Sequence, residues 1–108
     1  MNFSQVAERF AQSGAGTDDF KRLYKEAFEL MKSDSPHAAL YFVIGSIAHA
    51  YVIQYEDQGV STEFADKAKG FLVDFNQKIC QALTADTATK LALLGEIATQ
   101  YQFDIPEF

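Results

Sequence analysis

Two histidines, one cysteine and fifteen carboxylates are the side chains in this 108-residue chain that could do chemistry. Their spacing decides what they can form. A metal site built on helices takes ligands three or four residues apart on one face, and neither His-x-x-x-His nor Glu-x-x-His occurs. His37 and His49 are too far out of phase to share a helix face, and Asp34 and His37 straddle a Ser-Pro boundary. Cys80 falls near the C-terminal end of a helical pattern, where the helix dipole opposes thiolate formation. Gly14, Ala15, Gly16 and Thr17 precede a helix as a phosphate cradle would, but no strand leads into them and Asp18 and Asp19 already supply negative charge there. No catalytic, cofactor-binding or metal-ligating residue is assigned, and the expectation is a protein that is not an enzyme and holds no cofactor. His49, midway along an apolar run, is the candidate functional histidine.

Charge distribution is more informative. Nine Lys and Arg against fifteen Asp and Glu leave a net charge of −6, which disfavours nucleic acid and anionic membrane surfaces as partners. Residues 33–66 contain no Lys or Arg, while Asp34, Glu56, Asp57, Glu63 and Asp66 accumulate there. Glu56 and Asp57 fall at a helix C-terminus, where the macrodipole favours cations. The corner formed by Glu56, Asp57, Glu63 and Asp66 is therefore a candidate docking surface for a basic protein. A second candidate is the stripe of Tyr41, Tyr51 and Tyr55, spaced with Ile44 and Ala48 along one helix face; tyrosine is enriched at interfaces and also packs in cores with its hydroxyl at the rim.

The elements that position these residues are helical almost throughout, because apolar residues recur at three- and four-residue intervals and no strand alternation is flanked by hairpin turns. The expected fold is all-α, one compact bundle of about five helices over residues 3–12, 18–32, 36–58, 62–83 and 86–101. Thr17 is the expected N-cap of the second helix, Ser35 and Pro36 open the third, and Ser61 caps the fourth. The third helix, long and nearly all apolar, has no broad polar face; it is expected to be wrapped by the other four, or else partly buried against a second copy. Gly45, Ser46 and His49 interrupt its apolar run, which argues for a core helix over a membrane span. Phe71 and Phe75 lie on the apolar stripe of the fourth helix, and Ala88, Leu91, Leu94, Ala98 and Tyr101 on that of the fifth. The tail, 102–108, contains Pro106 and alternates apolar and polar residues, so it reads as a non-helical segment folded back on the bundle.

In size and helical architecture this pattern resembles the histidine phosphotransfer domains. Those carry a Lys-Gly pair three and four residues after an exposed histidine; here Val52 and Ile53 follow His49 at those positions. The resemblance extends to architecture alone.

With no convergent chemistry, the leading expectation is a small acidic helical module for protein–protein interaction, an adaptor, inhibitor or immunity-type factor, recognising a basic protein partner. The alternative is a carrier of a small apolar ligand in a Phe-rich helical cavity. A monomer or a homodimer is expected. A single cysteine and the lack of a basic-then-apolar N-terminus point to the cytoplasm.

Overall fold

The computed structural model describes residues 1–105 and 107–108, and within them the chain is all-α, with five α-helices and no strand. Helix α1 (Phe3–Gln12) opens on a capping box: the Asn2 side-chain oxygen accepts from Gln5 N–H (2.9 Å), and Asn2 N–H donates to the Gln5 side chain (3.0 Å). Phe3, Val6 and Phe10 form its buried side. Helix α2 (Thr17–Ser33) starts one residue earlier than expected. Gly16 is its N-cap, and Asp19 reaches back to accept from Gly16 N–H (3.2 Å), so Thr17 is the first helical residue.

Asp34 ends α2, and Pro36 lies in a short 3-10 turn, Ser35–His37, before α3 (Ala38–Tyr55). The third helix thus begins as a 3-10 turn and stops three residues short of its expected end, where Gln58 N–H turns back to Tyr55 O. Helix α4 (Thr62–Leu83) is capped by Ser61, which accepts from Phe64 N–H (3.1 Å). Asp86 does the same for α5 (Thr87–Asp104), accepting from Thr89 N–H (2.8 Å).

Helices α2 and α3 form an antiparallel pair. Phe20 meets Tyr51, Tyr24 meets His49 and Phe28 meets Phe42, so residue numbers rise on one helix as they fall on the other. The core lies between this pair and α4, with α1 closing one side through Phe3, Val6 and Phe10. Tyr51 is at its centre: Phe20 stacks on it at 4.1 Å, Tyr55 and Phe108 lie at 5.1 Å, and Phe64 at 6.3 Å.

Three expectations need correction. Residues 102–104 are helical, extending α5 through what reads in sequence as an extended tail, because no glycine or proline occurs between Gly95 and Pro106. Ile105, which precedes that proline, leaves the helical region at φ −127°, ψ 75°. Pro106 itself lies outside the described residues. The residues on either side of it pack on the bundle: Ile105 is buried, the Phe108 ring packs on Tyr51 and Tyr101, and the Tyr55 hydroxyl donates to Glu107 O.

The inward stripe of α5 is also narrower than expected. Ile97 is its one residue in the buried core, with Leu93, Leu94 and Tyr101 packed partly against it, whereas Ala88 and Ala98 are exposed and Leu91 is 70% exposed. The cause is that α5 packs chiefly on α4, so one neighbour covers one thin strip. Finally, the wrapping of α3 is incomplete. Leu40, Tyr41, Ile44, Ile47, Ala48, Tyr51 and Val52 are in the core, but Phe42 is 54% exposed and Ile53 70%. By length and composition alone Ser35–Tyr55 suffices to cross a membrane, despite Gly45, Ser46 and His49.

Candidate functional site

Of the acidic corner, Glu56 is the member with a visible compensation. It sits at the C-cap of α3 and pairs with Lys21 from the first turns of α2, a cation supplied across the antiparallel helix pair. The hydrogen bond to Glu56, then its charge, holds the Lys21 ammonium above the ordinary lysine range. Glu63 lies in the first turn of α4, where the macrodipole favours an anion. Asp57, Glu63 and Asp66 are exposed around the α3–α4 connection.

The tyrosine stripe faces inward. Tyr41 and Tyr51 are buried, and Tyr55 is half-buried with its hydroxyl engaged by the C-terminal segment. None of the three offers a free phenol face to a partner. The Tyr51 hydroxyl lacks a hydrogen-bond partner among the described residues, and burial, with Tyr55 nearby, raises its ionisation above the usual phenol range.

Tyr41 belongs to a network not foreseen from the sequence. Its hydroxyl donates to Asp34 Oδ2 at 2.6 Å, and His37 Nδ1 lies 3.0 Å from the same oxygen. Burial, then the carboxylate, drives the Tyr41 phenol far above its ordinary range, while the Tyr41 and His37 hydrogen bonds hold Asp34 below the usual carboxylate value. Asp34, His37 and Tyr41 are spaced i, i+3, i+7, a stripe legible in the sequence; the intervening proline shifts the turn to 3-10 without moving them off it. The network ties the end of α2 to the start of α3.

His49 is half-buried on the outer seam between α2 and α3. Its ring lies 4.5 Å from Tyr24 and 6.2 Å, edge-on, from Phe28, which in turn lies 6.3 Å from Phe42. The seam therefore reads Phe42, Phe28, His49, Tyr24, and ends in the Lys21–Glu56 ion pair. Phe28 enters it over Gly45, the position at which α3 has no side chain to oppose a ring.

Cys80 is half-buried on α4, and burial raises its thiol above the ordinary range, as expected of a packing residue. Among the described residues, no three His, Cys, Asp or Glu side chains converge as metal ligands would. A surface groove of about 540 Å³ between α1 and α2 is lined by Met1, Val6 and Leu30 together with Lys25, Glu26 and Lys32.

The exposed side of α3 was not singled out in the sequence. Phe42 and Ile53 are about three turns apart and so point the same way, on a helix with no charged residue from Ala38 to Tyr55. Comparison of the chain with protein-family models, with curated proteins and with solved structures finds no match.

Proposed function

We propose that this chain is a non-catalytic protein-interaction module whose recognition surface is the outer face of α3. The observation that carries this reading is the exposure of Phe42 and Ile53 on one side of an uncharged helix. Scattered exposed apolar residues are ordinary, but large ones in register, joined by the half-buried rings of Phe28, His49 and Tyr24, form a patch of the kind that partners cover. Asp57, Glu63 and Asp66 follow directly in the chain and supply a polar, acidic rim, which favours a protein partner with basic residues around an apolar centre.

Outward-facing substitutions test this without entering the core. Phe42→Asp and Ile53→Asp should leave the helical spectrum intact and abolish partner binding. Light scattering coupled to size exclusion identifies one special case: a wild-type dimer that Phe42→Asp converts to a monomer makes a second copy the partner. Binding to neutral lipid vesicles that Phe42→Asp abolishes would contradict the proposal.

A further inference from the structure

We propose that a second copy of this chain covers the outer face of α3, with the two α3 helices antiparallel and Phe42 of each packed on Ile53 of the other. This rests on the reading of that face as the recognition surface, and it names the occupant. Ala39, Phe42, Ser46, His49 and Ile53 follow one another at intervals of three, four, three and four residues. That spacing is the seam of a coiled coil, two residues per heptad along one side of a helix. Ala39, Phe42 and Ile53 are exposed and Ser46 and His49 half-buried, so the described residues leave the seam at least partly open along its length.

The order of these residues points to a copy of the same helix. Phe42 and Ile53 lie equally far on either side of a point between Ile47 and Ala48, and so do Ser46 and His49. A two-fold axis through that point, between antiparallel helices, lays Phe42 on Ile53 at each end and brings the Ser46 hydroxyl opposite the His49 ring in the middle. Large apolar residues then meet each other, and the two polar residues of the seam form a pair able to hydrogen-bond. Parallel helices would instead set the two His49 rings together and bring the carboxylates of both chains to one end. Charge follows the antiparallel register. Glu56 and Asp57, at the end of one α3, come beside the start of the other, where the macrodipole favours anions. Lys32 adds a cation at that end: it lies in the last turn of α2, one turn past Phe28 on the same side, its side chain 80% exposed and loosely paired with Glu29 at 3.6 Å. The two acidic corners stand about 27 Å apart, the length of the 18-residue α3, and are screened from each other by salt. A seam with one large apolar pair at each end is narrow, so the dimer is concentration-dependent and not obligate.

Sedimentation equilibrium of the full chain from about 10 μM to about 1 mM should show monomer and dimer in exchange. Phe42→Lys and Ile53→Glu should each weaken self-association at least about tenfold, with the helical spectrum unchanged. An equimolar mixture of these two variants decides the register. Only between antiparallel helices does the introduced lysine meet the introduced glutamate while the remaining Ile53 and Phe42 meet at the other end, so the mixture should dimerise where neither variant does alone. A mixture no more associated than its components, a wild-type chain still monomeric at about 1 mM, or a dimer indifferent to both substitutions would overturn the second copy as occupant. The α3 face itself survives such a result where a captured protein is lost with Phe42→Asp, and falls with it where no binding responds to Phe42→Asp or Ile53→Asp.

Discussion

The ring of Phe28 lies on Gly45: a Cβ built at that glycine would stand 2.5 Å from ring atom Cε1 and 2.7 Å from Cδ1. Helices α2 and α3 meet there ring against backbone, and this places Phe28 between Phe42 and His49 on the outer seam. In the middle of a helix, glycine costs about 0.5–1 kcal/mol relative to alanine, so Gly45→Ala would normally stabilise. Here the overlap with the ring outweighs that gain, since forcing a methyl into a filled contact costs about 1–3 kcal/mol. Urea unfolding should show Gly45→Ala destabilising by about 1 kcal/mol, whereas in a Phe28→Ala background the same change should stabilise. Stabilisation in the wild-type background would mean the ring does not sit on the glycine.

Two buried tyrosines should respond oppositely to loss of their hydroxyls. The Tyr51 hydroxyl has no partner among the described residues, and removing an unsatisfied buried polar group relieves a penalty of about 1–3 kcal/mol. Tyr51→Phe should be neutral or stabilising by about 1 kcal/mol. Tyr41→Phe should lower the melting temperature, because it strips Asp34 of its closest donor. A matched loss in both variants would place a hydrogen-bond acceptor beside Tyr51 that the described residues do not provide.

Asp34 should contribute to acid sensitivity. Its folded pKa lies below the ordinary 3.8, chiefly because the Tyr41 hydroxyl and then His37 donate to the carboxylate. As pH falls, the unfolded chain takes up this proton first, so the stabilisation is complete above 3.8 and is lost as pH drops through the folded value. Asp86, held low by the Thr89 backbone and side chain, acts in the same direction. Unfolding midpoints measured from neutral pH downward should therefore fall less steeply below about pH 4 in Asp34→Asn than in the wild type. Equal slopes in that range would remove Asp34 from the account.

The four carboxylates at the α3–α4 connection should separate into two kinds. Glu56→Gln breaks the pair with Lys21 and should lower the melting temperature slightly, an effect that fades as salt rises. Asp57→Asn removes an exposed anion just past a helix C-terminus and should raise it slightly. The same sign for both would show that the Lys21–Glu56 pair contributes nothing.

Caps and periodicity made most of the fold legible. Ser61 caps α4 as its chemistry predicts, whereas Ser35 and Pro36 form a 3-10 turn ahead of α3 instead of its cap and first residue, and the phase of Tyr41, Ile44, Ala48 and Tyr51 marks the inner side of α3. What the sequence concealed depends on tertiary neighbours. Leu91 fits an amphipathic stripe, yet α5 has one main neighbour and leaves it in solvent. Tyr101, Phe103 and Ile105 alternate as a strand would, but helix α5 runs past the first two, leaving Phe103 76% exposed. Glu56 reads as an uncompensated charge because its partner, Lys21, becomes adjacent only through the antiparallel register of α2 and α3. The Phe42–Ile53 face was hidden for the same reason: a helix apolar on every side does not announce which side its neighbours will leave open.

The most direct test of the interaction surface compares capture by wild-type protein with capture by Phe42→Asp, Ile53→Asp and Leu91→Asp, the last altering an equally exposed apolar residue on α5. Each protein held by the wild type is then purified and its affinity measured for all four chains at low and high salt. The account predicts a partner whose affinity drops at least about tenfold with Phe42→Asp and with Ile53→Asp, stays unchanged with Leu91→Asp, and weakens as salt rises. A partner that binds Phe42→Asp and Ile53→Asp as well as wild type, and is lost with Leu91→Asp, would contradict it and move the interaction surface to α5.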